Sequence, residues 1–283
     1  MKKLLAMGMA AMMALSLAAC GGSASSAASS SEAASSEAAS SEAATSEAAG
    51  TNASATGKTW VIATDTVFKP FEYTDADGNF VGIDVDIVAA IAEDQGFSYE
   101  LKSLGWDAAI AACQAGQADG MIAGASITQE RQDSGWIFSD GYYNATQTMT
   151  VPANSDITGF GDLSGKTVAV KTGTQGASYA ESLKDEYGFN ITYFEDSPTM
   201  YQAVLGGQTV ACFEDTPVMT ASIKDGDLAL KILEDTANEG QPYGFAIFNE
   251  ENQELLDMFN AGLANIKENG TYDEIINRYL GES

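Results

Sequence analysis

From Lys58 onward the chain alternates short β-rich runs with helix-length apolar stripes, and it does so twice. "TWVIATD" reads as a strand; "GIDVDIVAAIAEDQG" follows with Ile83, Ile87, Val88, Ile91 and Ala92 on one helical stripe and Gly96 as the stop. "WDAAIAACQAG" is a second helix, with Trp106, Ala109, Ile110 and Cys113 inward, and "DGMIAG" is a buried strand. After "FSDGYYNATQTMTV" the rhythm restarts with "KTVAVKTGTQGASYAESLKDEYG", then helix-like "SPTMYQAVLGG" and strand-then-turn "QTVACFEDTP". A βαβα rhythm of this kind predicts a mostly parallel sheet with helices on both faces. Two such α/β units of roughly 90–100 residues are expected, followed by a helical tail. In the tail Leu255, Leu256, Phe259, Leu263 and Ile266 form a stripe, and Thr271 with Glu274 reads as a capping box. Ligands of such sheets sit beyond the carboxyl ends of the strands.

The first 57 residues are of another kind. "MKKLLAMGMAAMMALSLAAC" has two lysines, an apolar run and small residues before Cys20, the pattern of a secretory signal too short to span a bilayer stably. Leu17-Ala18-Ala19-Cys20 resembles a bacterial lipobox, which implies cleavage after residue 19 and a lipid anchor on Cys20. Residues 20–57 then repeat "SSEAA" with glutamates five apart, which matches neither a helix nor a strand period. They read as a disordered stalk with a mean reach of roughly 30–35 Å. No later apolar run approaches the ~20 residues of a transmembrane helix, so an exported, membrane-tethered domain is expected.

Charge and composition exclude several chemistries. Without Lys2 and Lys3, 11 basic residues stand against 40 acidic ones, a net −29. Nucleic acid is therefore not an expected partner, and an anionic membrane surface would repel the domain. There is no histidine, which removes Ser/His/Asp triads, Cys/His pairs and imidazole metal sites together. No metal and no cofactor are expected. Cys113 and Cys212 lie in separate apolar segments without metal-ligand spacing and read as two buried thiols.

Three places could meet a ligand. In "ASITQERQDSG" Arg131 falls in the first turn of a helix, where the dipole disfavours a cation. Either it faces an anion, which the backbone N–H groups and a bidentate guanidinium would hold, or it is a surface residue paired with Glu130 or Asp133. In "VKTGTQGASYAE" Gly173 and Gly176 let backbone N–H groups approach an anion, or the segment is a plain βα turn. In "CFEDTPVM" Glu214 and Asp215 follow an apolar strand, where they could receive an ammonium, do acid–base work, or cap a helix. Phe68 and Trp106 could stack on a ligand or belong to the core.

Taken together and in order, "TDTVFKPFEYTDADGNFVGIDVDI", "WDAAIAA", "AGASITQER", "FSDGYY", "VAVKTGTQG", "EDTP", "QPYGFAIF" and "ENGTYDEIINRYLG" resemble the family-3 extracellular solute-binding proteins of ABC importers, over about residues 58–282. Within that family the segments "VAVKTGT", "DTP" and "NGTY" are most similar to glutamine-binding proteins. The resemblance implies a two-lobed, type II periplasmic-binding-protein-like α/β fold. Lobe 1 would comprise 58–141 with 245–283 and lobe 2 would comprise 146–240, with hinges near 142–146 and 241–244. It implies a monomer that captures a free polar amino acid, glutamine first, and delivers it to ABC permease subunits. By motif, Arg131 would clamp the α-carboxylate with the N–H groups of Ser126, Gln175 and Gly176. Asp215 would take the α-ammonium with the Gly124 carbonyl and Ser126 hydroxyl. Phe68 and Trp106 would sandwich the stem, and Asp65 and Lys171 would face the side-chain end. The chain departs from the glutamine binders at Glu214, where they carry histidine, and at Val210, where aspartate is common; the first bears on side-chain preference and the second on packing.

Two other functions fit the same residues. The fold resembles that of cyclic-acid dehydratases, in which a pocket carboxylic acid, here Glu214, protonates a leaving group. An amino-acid-sensing ectodomain would need a partner chain for signalling.

Overall fold

The computed structural model describes residues 48–50 and 57–281. The signal segment, Cys20 and most of the stalk lie outside the described residues. Ala48–Gly50, which composition assigns to the stalk, form a strand antiparallel to Ser98–Ser103. Ser98–Ser103 would otherwise be a sheet edge with unpaired backbone groups, and a short uncharged segment can add to such an edge.

The first sheet has the order 48–50, 98–103, 59–64, 120–121, 246–247, 137–138. Thr59–Thr64 runs parallel to Ser98–Ser103 over six residues and parallel to Gly120–Met121. Ala246–Ile247 is antiparallel to both of its neighbours. The second sheet has the order 190–194, 167–171, 212–215, 147–152, 230–233. Its first three strands are parallel, and Gln147–Pro152 is antiparallel to both Cys212–Asp215 and Leu230–Leu233. The sheets are thus mixed. Strands joined through helices are parallel, while those entered directly from the crossing segments are antiparallel.

The crossing segments form a small ladder of their own. Tyr143–Ala145 leads from the first sheet to the second, Gln241–Tyr243 leads back, and the two pair antiparallel with Tyr143 opposite Tyr243.

Apolar periodicity builds the cores. In the helix Ile83–Gln95 the stripe Ile83, Ile87, Val88, Ile91 is buried, and it packs on Leu255, Leu256, Phe259, Leu263 and Ile266 of Gln253–Glu268. Gly262 permits this contact, since a Cβ there would stand 2.7 Å from Ile91 Cγ2. In Trp106–Gln114 the buried positions are Trp106, Ala109, Ala112 and Cys113; Ile110 is half-buried and packs against the same cluster. The capping box is not formed. Gly270 caps the helix Thr271–Leu280, and Asn269 Oδ1 accepts the Thr271 N–H at 2.9 Å. The positive φ of 86° at Gly270 ends one helix and starts the next, so Thr271 enters one position too late to cap. Cys113 and Cys212 are free and buried, and burial raises both thiols, Cys113 to about 12. Val210 packs against the second lobe's core.

Candidate functional site

The carboxyl ends of the parallel strands converge on one cleft between the lobes. Asp65 follows Thr59–Thr64, Gly124 and Ser126 follow Gly120–Met121, Lys171 ends Thr167–Lys171, and Glu214 and Asp215 end Cys212–Asp215. With Phe68, Trp106, Ala123, Arg131, Thr174 and Gln175 these residues line one pocket. Ten of the eleven expected ligand-site residues are therefore brought together.

Gly176 is the exception. It is buried at the start of the helix Gln175–Tyr187, where a Cβ would stand 2.6 Å from the Phe213 carbonyl oxygen. Its glycine identity follows from close helix–strand packing, and it does not line the pocket.

Arg131 lies in the five-residue helix Gln129–Asp133, whose Thr128 cap accepts the Arg131 N–H. Of the two readings for this arginine, the surface pair is not formed: Asp133 accepts instead from Gln129 at 2.8 Å. The guanidinium turns into the cleft, donating to the Ser126 carbonyl at 2.9 Å and, across the lobes, to the Gly173 carbonyl at 3.2 Å. The rings of Trp106 and Trp136 flank it at 5.1 and 5.2 Å. Burial lowers its pKa to about 10, with the charge of Asp215 acting in the opposite direction.

Asp215 faces it from the second lobe. One oxygen accepts from Gln147 Nε2 at 2.6 Å and the other from the Tyr243 hydroxyl. Burial, and then the charge of Glu214, raise its pKa from the ordinary 3.8 to about 7; the bonds from Tyr243 and Gln147 and the charge of Arg131 oppose this.

The far end of the pocket carries a buried ion pair between Lys171 and Asp65, 3% and 6% exposed at their side chains. This pair crosses from one lobe to the other. Lys171 Nζ also stands 5.5 Å over the Phe68 ring. Phe68 in turn requires Gly124, since a Cβ at that position (φ 55°) would stand 2.4 Å from the ring. The Gly124 N–H is fixed by Asp84 at 2.9 Å, which also accepts from Tyr142.

Glu214 neither points into solvent nor pairs with Lys171. One oxygen accepts from Ser197 Oγ at 2.7 Å and Tyr201 at 3.0 Å, the other from the Asp215 N–H at 2.9 Å. The arrangement as a whole offers a guanidinium donor from one lobe, a carboxylate acceptor from the other, two aromatic walls, and an acceptor–donor pair at the far end. It suits a small zwitterion with a polar tail.

The residues missed were Ala123, Thr174 and the groups that hold the carboxylates, Gln147, Tyr243, Ser197 and Tyr201. Thr174 had a signal. It is a capping residue type in a glycine turn before a helix, and its hydroxyl does accept the Ala177 N–H.

The model of the family described as bacterial extracellular solute-binding proteins, family 3, matches residues 60–282. A probable histidine-binding protein of Neisseria gonorrhoeae is 30% identical over 230 residues, covering 80% of this chain and 84% of its own. The substrate-binding domain 2 of Lactococcus lactis GlnP, solved in an open conformation, is 39% identical with a TM-score of 0.57, covering 80% of this chain and 96% of that one. An ancestral arginine-binding protein bound to glutamine is 34% identical with a TM-score of 0.73, covering 79% and 98%.

Proposed function

Because this chain belongs to the bacterial extracellular solute-binding proteins, family 3, we propose that it captures a free polar L-amino acid between its lobes and hands it to the membrane subunits of an ABC importer. The observation that carries this reading is the opposition of Arg131 and Asp215 across one pocket. Arg131 holds the α-carboxylate with the N–H groups of Ser126 and Gln175. Asp215 accepts the α-ammonium with the Gly124 carbonyl and the Ser126 hydroxyl. Phe68 and Trp106 flank the stem. Hinge bending at Tyr143–Ala145 and Gln241–Tyr243 closes the lobes. Cleavage before Cys20 and its lipidation hold the protein on the outer face of the cytoplasmic membrane, through residues 20–57. The family is one of binding proteins, and Glu214, committed to Ser197 and Tyr201, serves here as a wall rather than as an acid catalyst.

Glutamine is the first choice of ligand. Asp65 and Lys171 neutralise one another and together present an acceptor and a donor, which is what a terminal amide needs. Leucine would leave both charges short of partners. One observation favours a cationic side chain instead. Asp65, Glu214 and Asp215 outnumber Arg131 and Lys171 in the pocket lining by one charge, and a positive tail would balance it. Competitive calorimetry with glutamine, glutamate, arginine and lysine, repeated on Glu214→Gln, decides between the two. Glutamine binding most tightly supports the first reading; arginine or lysine binding more tightly refutes it and leaves amino-acid binding standing.

A further inference from the structure

Two cavities lie back to back between the lobes. Beside the pocket just described is a second, a half-open cleft of about 270 Å³. Lobe 1 contributes Val67 and Lys69 to it, and lobe 2 contributes the helices Ser197–Leu205 and Thr216–Gly226. Its lining is largely apolar, with Pro198, Val218 and Leu228, and the ion pair Lys69–Asp225 at 3.0 Å crosses it from lobe to lobe.

The partition between the cavities is made of three hydrogen-bonded side chains. Glu214 lines the first, Ser197 and Tyr201 line the second, and the last two donate to the same Glu214 oxygen. All three are 2–5% exposed, so the partition is packed in place. A ligand tail pressing through it would strip a buried carboxylate of both hydroxyl donors, a loss that nothing apolar could make good.

We propose that Ser197, Tyr201 and Glu214 set the upper limit on side-chain length, and that the cavity behind them is a latent extension of the ligand pocket for an apolar group carried beyond the ligand's polar tail. The proposal rests on the amino-acid-binding reading above. Tyr201 is its specificity-determining residue: the ring fills the partition and the hydroxyl fastens it to Glu214.

The test is calorimetry with two pairs of ligands, glutamine with N5-ethylglutamine and arginine with its Nω-methyl derivative. The parent protein is expected to bind the longer member of the preferred pair at least tenfold more weakly. Tyr201→Ala joins the cavities and is expected to bring that ratio to threefold or less; Tyr201→Phe, which keeps the ring, leaves it high. Tyr201→Val, which retains an apolar side chain in the core, replaces Tyr201→Ala if the latter does not fold. A parent ratio near one overturns the proposal, as does an unchanged ratio in a variant that still binds the shorter ligand. Where the parent prefers another amino acid, that amino acid and a derivative lengthened by an ethyl group form the pair; a parent that binds none of the twenty defeats the amino-acid reading itself, and this inference with it.

Discussion

Lowering the pH through 7 should weaken ligand binding, because the ammonium acceptor takes up a proton. Burial and the charge of Glu214 raise the Asp215 pKa to about 7, against the opposing effects of Tyr243, Gln147 and Arg131. A ligand ammonium needs it ionised. With the proton excluded from the complex, the apparent Kd rises by the factor 1 + 10^(pKa − pH), or about tenfold from pH 8 to pH 6 and about a hundredfold from pH 8 to pH 5. The first step is worth about 1.4 kcal/mol. At pH 6 binding should release a proton, and at pH 8 little or none. Calorimetry in buffers of differing ionisation enthalpy reads both quantities. In the empty protein the sign for stability is opposite. An acid whose folded pKa lies above its unfolded 3.8 disfavours the fold progressively as the pH climbs from about 4 to 7. An affinity unchanged between pH 8 and pH 5.5, with no proton released, would refute the placing of the ammonium on Asp215.

Arg131→Ala should weaken binding of every amino-acid ligand by about 2–5 kcal/mol while the fold persists, as read by calorimetry beside thermal unfolding; unchanged affinity would remove the guanidinium from the site. Gly124→Ala forces a side chain into a left-handed conformation and onto Phe68, so it should cost about 1–3 kcal/mol of stability and lower affinity as the ring shifts; a variant as stable as the parent would mean that the backbone relaxes freely there. Ligand should make the particle more compact in small-angle scattering, and an identical radius of gyration with and without it would count against hinge closure.

What was legible in the sequence was local. Strand and helix periods show in the chain because each depends on neighbours two to four residues away, as in Ile83–Gln95. Arg131 stood out because a cation in a first turn contradicts a local rule. The glycine turn before Gln175 and the acidic pair at Glu214 and Asp215 were visible as types, though their roles were not. The rest depends on distant partners. Asp65 and Lys171 are 106 residues apart, and Asp215 and Gln147 are 68 apart, so no pattern in either segment announces the bond. The partners of Glu214 were hidden because Ser197 and Tyr201 read as an ordinary helix. Gly176 was misjudged because a glycine required for packing looks in sequence like one required for an anion.

Whether one free polar amino acid sits between Arg131 and Asp215 can be read from thermal unfolding of the purified protein with each of the twenty amino acids in turn at pH 8. Glutamine, or a cationic amino acid if that is the ligand, should add about 2.7 kcal/mol at one hundred times its Kd, and Arg131→Ala should abolish the gain. Twenty amino acids without effect on the parent, or a gain that survives in Arg131→Ala, would contradict that placement.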